Sequence, residues 1–210
     1  MIDNYNDLSI GKYQDIMVLL DGKELDELQM QTSLISILSD EDEDDILNLP
    51  LSEYNKRVQG TAFLLEAPKK KAMATQYKVS DMVLEVCVDL KSITAAQYID
   101  YQTFIKEPEK YLVELLSVFL IPKGYKYNDG YDIVEVQRLI RDNISIVDAL
   151  SMSAFFLTLS QGLIKGMLTC LTSKLKKMKK KSKNQQETMK LEQAIQNLET
   201  VGDGLHLLTK

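Results

Sequence analysis

A chain of 210 residues with net charge −6, of which 45% are hydrophobic and 27% charged, can bury a sizeable core and has an ordinary globular balance. Nine glycines and four prolines leave few turns and predict long elements, which excludes collagen-like, proline-rich and disordered classes. Two distant cysteines, Cys87 and Cys170, and one histidine, His206, fit neither a disulfide framework nor a zinc site needing two imidazoles, so a reducing cytoplasm is expected.

In chain order, the first predicted helix runs from Ser9 to Leu20, with Ser9 as its cap and Tyr13, Ile16, Met17 and Leu20 on one stripe. A second stripe passes through Leu28, Thr32, Ile35 and Leu38 and ends at the acidic run Asp40, Glu41, Asp42, Glu43, Asp44 and Asp45. Carboxylates there suit the positive N-terminal end of a short helix holding Ile46, Leu47 and Leu49. After Pro50 a helix is predicted over 51–65, with Tyr54, Val58, Ala62 and Leu65 recurring at four and three, stopped by Pro68 and Lys69 to Lys71. The period then changes to two: Leu84, Val86, Val88 and Leu90 alternate with Glu85, Cys87 and Asp89, and QYKV upstream pairs with them across Ser80 and Asp81 as a small β-hairpin.

Beyond the hairpin the opening pattern returns. Residues 8–20 align without gaps on 93–105, matching Ser9 with Thr94, Lys12 with Gln97, Tyr13 with Tyr98 and Asp15 with Asp100. LISIL at 34–38 resembles LLSVF at 115–119, and DILNL at 45–49 resembles DIVEV at 132–136, which points to two related helical halves. The last third is the most periodic: Leu150, Ala154, Leu157, Gln161, Ile164, Leu168, Leu171, Leu175 and Met178 form one seam down a helix over about 145–181. A further helix at about 186–200, after a turn at 182–184, makes a helical hairpin with it. The expected fold is mainly α, in four parts: an acidic helical half at 1–68, a linker and β-hairpin at 69–90, a second helical half at 91–145, and a basic C-terminal helix pair at 146–210.

Charge is divided along the chain. Residues 1–68 hold four Lys and Arg against fifteen Asp and Glu, while the remainder holds 21 against 16, so opposed patches favour self-association or a charged partner. Lys174, Lys176, Lys177, Lys179, Lys180, Lys181 and Lys183 surround the seam's basic end. The run has no interleaved aromatics or arginines, so an acidic protein surface is favoured over nucleic acid. Ser151, Ser153, Thr158, Ser160, Gln161 and Lys165 interrupt the apolar stretch before it, so no membrane span is expected. The start of the chain is polar and acidic, without the pattern of a secretory signal.

Chemistry-bearing motifs are missing. Asp40, Asp42 and Asp44 open like a calcium loop, but Asp45 stands where a glycine is required and Leu51 where a closing glutamate is required. Gly202 and Gly204 complete no phosphate-binding fingerprint, and His206 near the chain end has no preorganised surroundings. A non-enzymatic protein without metal or cofactor is expected. The expected partner-binding surface is the seam at Leu150, Leu157, Ile164, Leu168, Leu171, Leu175 and Met178, with the acidic run and the lysine run as charged interaction patches.

The stretches LSIGKYQDI, DILNLPLSEY, ITAAQYIDYQTF and IPKGYKYNDGYDI together resemble small helical morphogenesis proteins of tailed phages, of the tail assembly chaperone kind, including those of crAss-like gut phages; the resemblance covers about 5–150. It implies an escort for a large tail, tape-measure-like or cargo protein in the host cytoplasm during assembly. The C-terminal helix pair lies outside that pattern and leaves a second role open, as a virion component such as a ring subunit or packaged cargo.

Overall fold

The computed structural model describes residues 1–22, 25–69, 71–87, 93–108, 110–181, 189–190, 192–193 and 195–197. Within the longest helix, side chains are described at 146–158, 168–169, 171–173 and 175. The fold is mainly helical with one small antiparallel sheet, and the chain divides into two compact units, Met1–Ser151 and Met152–Lys210.

In the first unit α1 spans Ile10–Asp21 and α2 spans Glu27–Ser39. Ser9 Oγ accepts from the Lys12 amide at 3.3 Å, and Asp26 and Gln29 form a reciprocal capping box at the start of α2. Asp40, in the left-handed region at φ 56°, ends α2, and α3 (Glu43–Leu47) follows with three carboxylates in its first turn. Helix α4 (Leu51–Gly60) begins directly after Pro50, and its Tyr54 hydroxyl shares a buried hydrogen bond of 3.2 Å with Thr32 Oγ1. Ile35, Ile46 and Tyr54 form one core cluster, with Leu49 and Val58 packed on it.

The predicted continuation of α4 to Leu65 does not form. Thr61 Oγ1 donates to the Val58 carbonyl at 2.8 Å, the chain tightens into a 3₁₀ turn over Ala62–Leu65, and Leu65 ends 91% exposed.

The hairpin pairs β1 (Gln76–Val79) with β2 (Met82–Val86) across Ser80 and Asp81, with Ser80 at φ 51°. Positions 88–90 of the expected strand lie outside the described residues. A third strand, β3 (Leu120–Pro122), which the sequence reading did not include, pairs antiparallel with β2. With β1 on one edge and β3 on the other, β2 is the central strand, and its Leu84 and Val86 are buried.

Helices α5 (Ala95–Phe104), α6 (Leu112–Ser117) and α7 (Ile133–Asn143) complete the helical layer of the first unit. Thr94 caps α5 as Ser9 caps α1, accepting from the amide three residues on at 3.1 Å. Gln97 closes the capping box and also donates to the Val118 carbonyl at 3.1 Å, so one buried side chain ties the start of α5 to the end of α6. Lys12, at the aligned place in α1, instead pairs with Asp40 at 2.6 Å. Thr94→Ala is therefore expected to cost about 1–2 kcal/mol, the upper part of the usual cap range, because the Gln97 network loosens with it. Urea denaturation against Ser9→Ala checks this, since the Ser9 cap lacks the reciprocal partner and its loss is the smaller.

The first segment and the last helix are joined within the first unit. The Ile10 amide donates to the Ile144 carbonyl at 3.0 Å and the Ile146 amide to the Leu8 carbonyl at 2.8 Å, with all four side chains buried. Helix α8 starts there and runs over Ile146–Lys181, 36 residues or about 54 Å at 1.5 Å each. In the second unit, helical backbone also appears at 189–190, 192–193 and 195–197, inside the helix expected at 186–200; its turn at 182–184 lies outside the described residues.

Candidate docking groove

Five consecutive apolar residues, Ile16 to Leu20, occupy the C-terminal half of α1. At 100° per residue they surround the helix, so one buried face cannot hold them all. The core takes Ile10 and Ile16. The inner face is fixed by close approach at buried Gly11, where an added Cβ would lie 3.1 Å from Cγ of Arg141 on α7. Arg141 also pairs with Asp15 of α1 at 3.0 Å. Met17, Val18 and Leu20 are thereby left outward, 48%, 74% and 48% exposed. The predicted stripe through Tyr13, Ile16, Met17 and Leu20 is thus divided, with Ile16 buried and Met17 and Leu20 exposed.

These residues line an open groove of about 650 Å³ together with Asp21 and Lys110, the latter from the segment between α5 and α6. Met17, Leu20 and Asp21 stand at i, i+3 and i+4, one continuous helix face, with Val18 beside it. The Lys110 ammonium sits 4.7 Å from the centre of the Tyr111 ring and 3.7 Å from the Glu107 carboxylate, and its affinity for the proton is raised chiefly by the Tyr111 hydroxyl. Leu25 and Leu28 are exposed too, so Leu28 parts from Thr32, Ile35 and Leu38 of its predicted stripe, which are buried. Asp21, Asp26 and Glu27 form no ion pair among the described residues.

The acidic run is used unevenly. Asp40 is held by Lys12, and both oxygens of Glu41 accept from Nη1 of Arg57 at 2.8 and 2.9 Å, which keeps the Glu41 carboxyl below its usual range. Glu43 accepts from the Ser33 hydroxyl. Asp42, Asp44 and Asp45 form no ion pair among the described residues and remain a solvated negative face beside exposed Leu47 and Leu51.

Of the seam residues, Leu150, Leu157, Leu168, Leu171 and Leu175 are half-buried; the side chains of Ile164 and Met178 lie outside the described residues. So do those of Lys174, Lys176, Lys177, Lys179, Lys180 and Lys181, whose backbone is helical, and the whole of Lys183. His206, Gly202 and Gly204 also lie outside. The seam and the groove belong to different units except at Leu150.

Elsewhere the titratable groups are engaged structurally. Burial pushes the Tyr77 phenol up to about 12, helped by the Asp148 carboxylate, and Tyr127 is raised by burial and by its 2.7 Å hydrogen bond to Asp100. Among the described residues no group of three or more His, Cys, Asp and Glu is placed to hold a metal ion, and no helix is long and apolar enough to cross a membrane. What the groove offers is an apolar floor with a carboxylate and an ammonium at its margin, an arrangement suited to another polypeptide.

Comparison of the chain with protein-family models, with characterised proteins and with solved structures finds no match.

Val18, Asp21 and Lys110 are site residues that the sequence reading missed. The signal for Val18 was present: IMVLL is too apolar for one helix face, and apolar surplus on a surface helix marks a binding surface. Lys110 carried no such signal, because its place opposite α1 depends on packing between segments some 90 residues apart in sequence, a non-local arrangement.

Proposed function

We propose that the protein is a non-enzymatic morphogenesis factor of a tailed phage, an escort that holds an amphipathic helix of a large tail, tape-measure-like or cargo protein during assembly in the host cytoplasm. The observation that carries the reading is the outward face of α1, where Met17, Val18 and Leu20 floor an open groove. A client helix with apolar anchors at i, i+3, i+4 and i+7 matches such a floor, and hiding those anchors is what keeps an unassembled helical protein soluble. The resemblance of four stretches within about 5–150 to phage tail assembly chaperones supports the same reading. So does the equivalent capping of α1 and α5 by the aligned Ser9 and Thr94, which favours two related helical halves.

Co-expression with the long tail or tape-measure-like reading frame of the same genome is expected to yield a soluble complex that co-purifies. A client that is equally soluble alone, or no association at all, overturns the reading.

A second reading, a ring subunit or packaged cargo protein of the particle, is favoured by one feature, the 36-residue helix α8 with its sustained apolar seam. Mass spectrometry of purified particles separates the two. An escort is absent from them, whereas a structural component is present in fixed stoichiometry.

A further inference from the structure

We infer that, before a client arrives, the groove on α1 is covered by residues 168–181 of a second copy of this chain. The inference rests on the reading of the groove as a helix-binding site and names its resting occupant.

The match is one of shape and of charge. Helix α8 keeps helical backbone to Lys181, and over its last four turns Leu168, Leu171, Leu175 and Met178 recur in steps of three and four. That is the anchor spacing a helix needs to enter an apolar trough. Six lysines crowd this same stretch between 174 and 181. On the receiving side Met17, Val18 and Leu20 give the apolar floor, Asp21 stands at its margin, and Asp26 and Glu27 follow without a described ionic partner. Among the described residues the one cation lining the groove, Lys110, is already engaged by Glu107 and by the Tyr111 ring. The α1 side of the site belongs to the N-terminal third, which holds fifteen acidic against four basic residues and whose field draws a polycationic helix in. A nucleic acid would satisfy the lysines and leave the leucine and methionine anchors in water; an apolar groove set in the acidic N-terminal third satisfies both.

Donor and acceptor surfaces are different patches of one chain, so the contact is heterologous and propagates head to tail from copy to copy. A client helix then enters by displacing the lysine helix, and the released positive end becomes available to the next copy along the client.

The test uses the full chain without client. Sedimentation velocity at about 0.05 M salt is expected to show mass rising with protein concentration, and at about 1 M salt, where charges are screened beyond about 3 Å, the monomer. Reversing Lys176, Lys177, Lys179 and Lys180 to Glu is expected to give a monomer at both salts. A fluorescent peptide of residues 164–183 is expected to bind that reversed chain, and at least tenfold more weakly when Leu20→Lys is added. A wild-type chain that is monomeric at every concentration overturns the inference, including the case in which lysine reversal newly permits peptide binding, which would place the chain's own helix in the groove. Association that survives both lysine reversal and Leu20→Lys overturns it as well. These results are independent of client capture: failure here with a soluble client complex intact removes only the resting occupant, and self-association without any client complex removes only the escort.

Discussion

Phe119→Ala is expected to lower the stability of the first unit by about 3–5 kcal/mol, the range for deleting a large aromatic from a packed core. Phe119 is 2% exposed and joins α6 to β3, and its ring meets Tyr101 of α5 edge-on with centroids 5.5 Å apart. Its backbone is engaged on both sides, donating to the Leu116 carbonyl at 3.0 Å and accepting from the Cys87 amide at 2.8 Å. Alanine keeps those two bonds and removes only the ring, so the loss reads out the packing at the junction of sheet and helices. With the transition temperature moving about 2–4 °C per kcal/mol for a chain of this size, it should fall by about 6–20 °C. Thermal unfolding followed by circular dichroism measures it, with Ile99→Ala, 62% exposed on α5, as the surface control expected to stay within about 0.5 kcal/mol. A shift for Phe119→Ala no larger than the control's would mean that the sheet is not seated on α5 and α6.

That junction is also where sequence reasoning stopped. Helix α8 was legible because nine seam positions repeat without interruption, and a period sustained so long outweighs any local ambiguity. The hairpin was legible because the period switches to two and the turn needs only two residues, both local signals. Strand β3 has neither. Its three residues sit at the end of the apolar run LVELLSVFLIP, and they are extended only because β2 is there to pair with. Pro122 marks where a helix must stop, but nothing in the residues themselves says that the turn before it pairs with β2.

A similar limit applies to α1 and α4. Stripes at spacings of three and four define a face and not which face is covered, and the neighbour that decides it, Arg141 on α7, lies far along the chain. Met17 and Leu20 therefore share a predicted stripe with buried Ile16 while they line the groove. Leu65 joins the stripe of Tyr54 and Val58 only if the helix continues past Gly60 and Thr61, where the backbone changes helix type.

Val18→Lys should abolish client capture while leaving the fold untouched, and this separation is the strongest consequence of the groove. Val18 is 74% exposed, so placing lysine there costs the free protein no more than about 0.5 kcal/mol. In a complex the same position is covered by the client helix, and burying a valine side chain is worth about 1.5–3 kcal/mol, or about tenfold to more than a hundredfold in affinity. Lysine forfeits that gain and adds the cost of desolvating an ammonium against an apolar helix. Leu65→Lys is the matched control: at 91% exposure on the 3₁₀ turn it makes the same chemical change outside the groove lining. Quantitative pull-down of the co-expressed client, with both variants matched for expression and transition temperature, should show loss for Val18→Lys and wild-type recovery for Leu65→Lys. Equal loss in both would mean that added positive charge alone repels the client, and equal recovery would mean that the client docks elsewhere. In either case the outward face of α1 would need another explanation, because Met17, Val18 and Leu20 together at the end of a surface helix are an aggregation hazard that a chain without a use for them would not keep exposed.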